Sequence, residues 1–348
     1  MDIYQPTGDE LREVGQIVDF SQYELDPTKE WEPMQYAFSI GGVGLAPLGD
    51  IQVVKAPQKN GKTFLLTLMM GALLKGEYIG MVSNIDNPTL LYIDTEQHPR
   101  DTLEVYRRVC MIGGIDGHTL HSQVRFLHMR GAQVEEIRHA ILQYIVFYKP
   151  NVVFVDGLVD CVIDPNDQAE SKSYISQLSA IAMRHNCAIW TVLHVNPGSD
   201  KMRGHLGTIL SQKVSDVLMC KKERMPDGSV VFSVEQTDTR HKDVPKFQFA
   251  IEDRMDAGKP LAMPVALYVS DAHKQELDHI MRDCLMNNPL RSGELNAKVQ
   301  EVAKVKKSKA WELMNEASTC GIIAKDSITS VYTYFGIQKT LTSDEVPF

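Results

Sequence analysis

No two of the six cysteines (Cys110, Cys161, Cys187, Cys220, Cys284, Cys320) form a C-x-x-C pair, and no cationic, apolar leader opens the chain. Both absences point to a reduced, cytoplasmic protein. No apolar run approaches the roughly 18 residues that span a bilayer; the most apolar stretch, 64–74, is interrupted by Thr67 and closed by Lys75, so no membrane partner is expected. Positive charge is also short, with 36 basic residues against 45 acidic and a net charge of -9. Such a molecule repels phosphate as a whole and must use local basic patches for any nucleic-acid contact. There is no internal repeat and no low-complexity tract. What remains is ordinary: 348 residues, 43% hydrophobic and 23% charged, which excludes a disordered, collagenous or disulfide-scaffold chain and leaves room for one large and one small domain.

Residues 1–35 hold nine carboxylates against only Arg12 and Lys29, with Pro6, Pro27 and Pro33 among them, the composition of an extended acidic arm. From Gly49 onward short β-branched runs alternate with amphipathic stretches. Strands are expected at 51–54, 90–93, 124–127, 152–155 and 188–193, with helices from about Lys62, around 101–110 and over 134–147. Continuous apolar runs of strand length are buried on both faces, so this rhythm predicts an α/β fold with a mainly parallel central sheet. After Ser211 the runs 216–219 and 230–234, with a turn at Pro226-Asp227-Gly228, read as antiparallel strands extending that sheet. The domain boundaries read 36–252 for this unit, a Gly/Pro-bearing linker over 253–271, a second unit over 272–338, and an acidic tail over 339–348.

Ile51-Gln52-Val53-Val54-Lys55 runs into Ala56-Pro57-Gln58-Lys59-Asn60-Gly61-Lys62-Thr63 and then into an apolar helix. Strand, loop and helix in that order are what a nucleoside-triphosphate cradle needs. Backbone N–H groups wrap phosphates at a helix start, Lys62 places a cation on the β and γ oxygens, and the Thr63 hydroxyl can hold Mg²⁺. Ala56 departs from the stricter pattern, which has glycine there. ATP and Mg²⁺ are the expected cofactors.

The strand 151–156 ends in Asp156, the position from which a carboxylate supports Mg²⁺ beside the loop; Asp160 and Asp164 are weaker rivals. The strand 91–93 ends in Asp94-Thr95-Glu96-Gln97, and in-line attack on a γ-phosphate requires a base that orients water, a role Glu96 fits. A solvated loop acid is the alternative.

With these motifs the chain resembles RecA-like P-loop ATPases, and is most similar to the RepA-type hexameric replicative helicases of plasmids and mobile elements and their DnaB-like relatives. The resemblance covers roughly 36–252. It implies a RecA-like core, a catalytic role for Glu96, and a γ-phosphate sensor at His194, which follows Trp190-Thr191-Val192-Leu193. It implies that the cationic segment 201–208, with Lys201, Arg203 and His205, faces a channel and tracks single-stranded DNA. It further implies a basic residue that reaches the next subunit's γ-phosphate, with Arg240 first and Lys242 in reserve. A homo-oligomer, a hexameric ring, goes with that assignment.

In the second unit, helices expected at 272–286, 292–303 and 308–319, followed by a hairpin at 321–325 and 331–335, resemble a winged helix-turn-helix. Lys306, Lys307 and Lys309 at the start of the third helix suit phosphate positioning on DNA, although this fold serves protein contacts as well. The end, Ser343-Asp344-Glu345-Val346-Pro347-Phe348, resembles the acidic tip of bacterial single-stranded-DNA-binding proteins and offers a docking peptide for replication partners. Together these features predict a ring-forming ATP-driven motor on single-stranded DNA, a RepA-like replicative helicase. The alternatives are a nucleotide-gated DNA-binding regulator and a small-molecule P-loop kinase, the last disfavoured by the absence of an Arg-rich lid.

Overall fold

The computed structural model describes residues 24–336 apart from 226–227, 268–270, 287, 327–328 and 330. The chain divides after Met34. In the described part of the first unit Asp26 closes a turn, accepting hydrogen bonds from the N–H and hydroxyl of Thr28, while its carbonyl accepts from Trp31 Nε1. The arm before Glu24 and the tail after Gly336 lie outside the described residues.

The second unit begins with β1 (Tyr36–Ile40), β2 (Val43–Pro47) and β3 (Ile51–Ala56), then α1 (Lys62–Lys75), β4 (Glu77–Tyr78), β5 (Met81–Ser83) and β6 (Leu90–Asp94). Next come α2 (Pro99–Gly113), β7 (Val124–His128), α3 (Val134–Tyr148), β8 (Val152–Asp156), α4 (Gln168–His185), β9 (Ala188–His194) and α5 (Gly204–Lys213). Four long strands follow, β10 (Asp216–Arg224), β11 (Val230–Thr239), β12 (Phe247–Asp256) and β13 (Lys259–Val265). Nine of these strands form one sheet in the order β13-β12-β11-β10-β3-β9-β8-β6-β7. The run from β10 to β7 is parallel and the run from β10 to β13 antiparallel.

Period-two alternation explains why the central strands are apolar throughout. Leu90, Tyr92, Val152, Phe154 and Trp190 face one layer with Leu65, Met69, Val105 and Val109 of α1 and α2. Leu91, Ile93, Val153, Val155 and Ile189 face the other with Ile141, Ile175, Leu178 and Leu210 from α3, α4 and α5. Each strand buries both its faces, so neither has room for the polar half of an alternating pattern. The parallel strands therefore send their carboxyl ends to one edge, where loops and helix starts can build a site.

Two expectations need correction, and one element was missed. Within the linker expected over 253–271, the stretch 253–265 is instead part of a hairpin: β12 continues to Asp256, turns through Ala257 and Gly258 at positive φ, and pairs with β13 from Lys259. Pro260 and Pro264 had suggested a linker, but β13 is the edge of the sheet, where a missing N–H costs no ladder bond. The cationic segment 201–208 is loop only up to Arg203, because α5 starts at Gly204. Its glycines obscured the helical spacing of Leu206, Ile209 and Leu210, all buried. Finally, the small sheet β2-β1-β5-β4 was not anticipated, since strands of two to five residues leave little periodicity to detect.

At the carboxyl end of the chain α6 (Asp271–Leu285), β14 (Leu290–Arg291), α7 (Ser292–Ala303), α8 (Lys307–Thr319), β15 (Ile323–Lys325) and β16 (Val331–Tyr334) surround their own apolar cluster. Leu277, Met281, Leu295, Val299, Leu313 and Ile323 are buried there, and the three strands pair antiparallel in the order β14-β16-β15. All six cysteines are free thiols. Among the described residues no helix is long and apolar enough to cross a membrane.

Candidate active site

The site is assembled where β3, β6, β8 and β9 end. Register puts Ala56 beside His194 and Asp94 beside Asp156, so the phosphate loop and all three candidate polar strand ends share one edge of the sheet. Ala56 itself is strand, buried and paired, so the glycine of the stricter pattern is not required there. The loop's left-handed positions are Lys59 and Gly61, at φ 58° and 80°. Gly61 is also held by packing: a Cβ there would collide with the Phe232 ring.

Helix α1 begins at Gly61 with no side-chain cap and no acid in its first turn. Its first N–H groups are consequently free to face an anion, and the helix dipole favours one. Beside them Lys62 Nζ donates to Pro57 O at 3.2 Å and lies 3.0 Å from His194 Nδ1. Burial lowers the pKa of Lys62, while Asp156 and Glu96 pull it back up. His194 is lowered too, by burial and by the Lys62 charge, so its imidazole stays neutral and accepts from the ammonium.

The acids form a second group. Asp156 is buried, and its Oδ2 accepts from Thr63 Oγ1 at 2.9 Å and from Tyr92 OH at 3.1 Å. Burial first, and the charge of Asp94 second, push its carboxyl up to about 6. Glu96 is pushed up to about 7 by desolvation and by Asp156 and Asp160, with Lys62 opposing. Its Oε1 stands 3.9 Å from His194 Nε2, and its carboxyl lies over Gly157, where any Cβ would strike it.

Asp94 shapes the turn that presents Glu96. Its Oδ1 accepts from the N–H groups of Glu96 and Gln97 at 3.1 and 2.9 Å, and its Oδ2 from Gln97 Nε2 and Thr102 Oγ1 at 2.9 and 2.7 Å. Four hydrogen bonds occupy this fully buried carboxylate, leaving it no lone pair for proton abstraction. Asp160 is occupied as well, accepting from Thr95 Oγ1 at 2.8 Å. Tyr92 and Gln97 were not picked out as functional from the sequence. The signal for Tyr92 was there, because a phenol inside a continuous apolar strand must spend its O–H on something.

Other anticipated residues lie elsewhere. Lys201 and Arg203 are exposed on the loop that leaves His194, with Arg203 N donating to His194 O at 3.0 Å; exposed His205 is on α5. Arg240 and Lys242 are far from Lys62 in the same chain. Gln52 pairs with Asp216 and Asp216 with Thr239, so Arg240 stands at the amino end of β3, opposite the phosphate loop. There its Nη2 caps α5 through the carbonyls of Gln212 and Lys213, at 3.1 and 3.2 Å. Lys306, Lys307 and Lys309 are exposed at the start of α8, Lys309 paired with Glu312 at 2.9 Å.

A phosphate loop between β3 and α1, with Asp156 at the end of the parallel strand β8 one strand beyond β9 and a lysine aimed into the loop, defines a P-loop ATPase. In agreement, residues 39–200 match the family model of an AAA domain, a P-loop ATPase class that binds nucleotide. No curated protein matches the chain.

Proposed function

We propose that this chain is an ATP-hydrolysing ring motor on single-stranded DNA, a RepA-like replicative helicase of a plasmid, phage or integrated element. The observation that carries the reading is the position of Arg240 and Lys242. A cationic pair at the end of the sheet opposite its own phosphate loop suits a site completed by the neighbouring subunit, as in a ring. In that reading the loop N–H groups and Lys62 hold the phosphates, and Thr63 and Asp156 hold Mg²⁺. Bound MgATP supplies the scissile phosphoanhydride. Glu96, pushed up to about 7 and fixed over Gly157, is a base matched to neutral pH that orients the attacking water.

His194 links this chemistry to DNA, because it touches Lys62 on one side and leads directly into the loop bearing Lys201 and Arg203 on the other. Those two, with His205, follow the single strand. The unit over 272–338 acts as a winged helix whose Lys306, Lys307 and Lys309 meet DNA phosphates, and the tail ending in Phe348 docks replication partners. The test is steady-state ATPase with and without single strands, together with strand separation on a forked duplex. Stimulated hydrolysis with unwinding supports the motor. ATP-dependent DNA binding without either supports a nucleotide-gated regulator instead.

A further inference from the structure

Strand β3 ends at Ala56, but its parallel neighbour β10 continues to Arg224, so β10 beyond Met219 has no strand on that side. The phosphate loop takes the vacant edge. Lys222 N donates to Asn60 Oδ1 at 2.8 Å, the Cys220 thiol donates to Asn60 O at 3.0 Å, and Asn60 Nδ2 turns back to Gln58 O at 2.9 Å. Phe232, in register with Lys222 on β11, stacks on Phe249 at 5.1 Å between centroids and rests against Gly61. Burial pushes the Cys220 thiol up to about 12, so it remains a donor at neutral pH.

We infer that Asn60 is a positioning residue: its side chain straps the phosphate loop to the β10–β11 strand pair, holding the left-handed turns at Lys59 and Gly61 in the shape that receives phosphate. The inference rests on reading this loop as a phosphate cradle. The chemistry is specific to a short amide, which accepts from the strand and donates within the loop at the same time. A carboxylate lacks the donor and an alkyl chain lacks both. Loop N–H groups that are aligned before phosphate arrives need no ordering when it binds, so loss of the strap weakens ATP binding.

The test compares the full-length parent with Asn60→Ala, Lys222→Pro and the double variant, measuring KM and kcat for ATP and the nucleotide-free thermal midpoint. The Lys222 N–H is spent on Asn60, so proline there removes the same bond from the other side. Asn60→Ala is expected to raise KM about fivefold to tenfold, the size of one or two neutral hydrogen bonds, and to change kcat by less. The midpoint should stay within about 2 °C, because the residue is only partly buried and on the surface of the loop. The double variant should resemble the worse single variant, since both cut one strap. Additive effects, an unchanged KM, or a KM rise that merely tracks a fallen midpoint would overturn the strap. A parent that neither binds nor hydrolyses ATP would overturn the phosphate-cradle reading as well, and so separates the two failures.

Discussion

Asp156→Asn should stabilise the nucleotide-free protein at neutral pH while disabling it. The ordinary carboxyl value is 3.8, and burial with the Asp94 charge pushes this one up to about 6. A rise of that size costs the ionised form on the order of 3 kcal/mol relative to the unfolded chain. An acid whose folded value lies above its unfolded value favours folding while protonated. That contribution is complete below about pH 4 and is lost as pH rises to about 6. An amide removes the charge yet still accepts from Thr63 Oγ1 and Tyr92 OH, so both hydrogen bonds persist. The variant should therefore be about 1–3 kcal/mol more stable than the parent at pH 7.5, a thermal midpoint a few degrees higher. At pH 5 the gap should narrow by about 1 kcal/mol, because the parent's carboxyl is then largely protonated. Thermal unfolding of both chains at the two pH values reads this out, with ATP hydrolysis as the functional companion. A variant no more stable than the parent at pH 7.5, or a gap indifferent to pH, would refute the reasoning.

Lys62→Ala should abolish tight ATP binding by equilibrium titration, whereas Glu96→Gln should bind ATP and lose hydrolysis by about a hundredfold or more, since only water activation is removed. Arg240→Ala should abolish ATPase alone yet recover part of it when mixed with Lys62→Ala, because an intact basic tip on one chain can serve an intact loop on its neighbour. No recovery, with mixed assembly shown by a second tag, would count against a shared site. Neutralising Lys201 and Arg203 together should weaken single-strand binding and reduce its salt slope by about 1–2, leaving hydrolysis without DNA largely intact. An unchanged slope would remove this loop from the DNA path.

The central sheet was legible because both-face burial writes itself as continuous apolar runs, and because acids stand out at the ends of those runs. Lys62 and Thr63 stood out at the start of a helix that follows a strand, and Glu96, Asp156 and His194 at or just beyond strand ends, and the parallel register brings them together. The β12–β13 hairpin was not legible. Its edge position excuses two prolines, and nothing local reveals which strand will be an edge. The start of α5 was obscured by Gly204 and Gly207, residues that read as loop. Gly204 sits at φ 74° at the helix entrance, and Gly207 is small because a Cβ would strike Met202. The strap at Asn60 was illegible for another reason: its partners, Cys220 and Lys222, are 160 and 162 residues away, and only the folded register joins them.

The shared ATP site is the central claim, and molecular mass in solution tests it most directly. The full chain would be measured by light scattering alone, with a non-hydrolysable ATP analogue, and with the analogue plus single-stranded DNA. A closed ring with the mass of six chains, formed or strengthened by nucleotide and DNA, is the predicted result. A chain that remains monomeric in all three conditions would leave Arg240 without a neighbour's phosphate to reach, and would contradict the account.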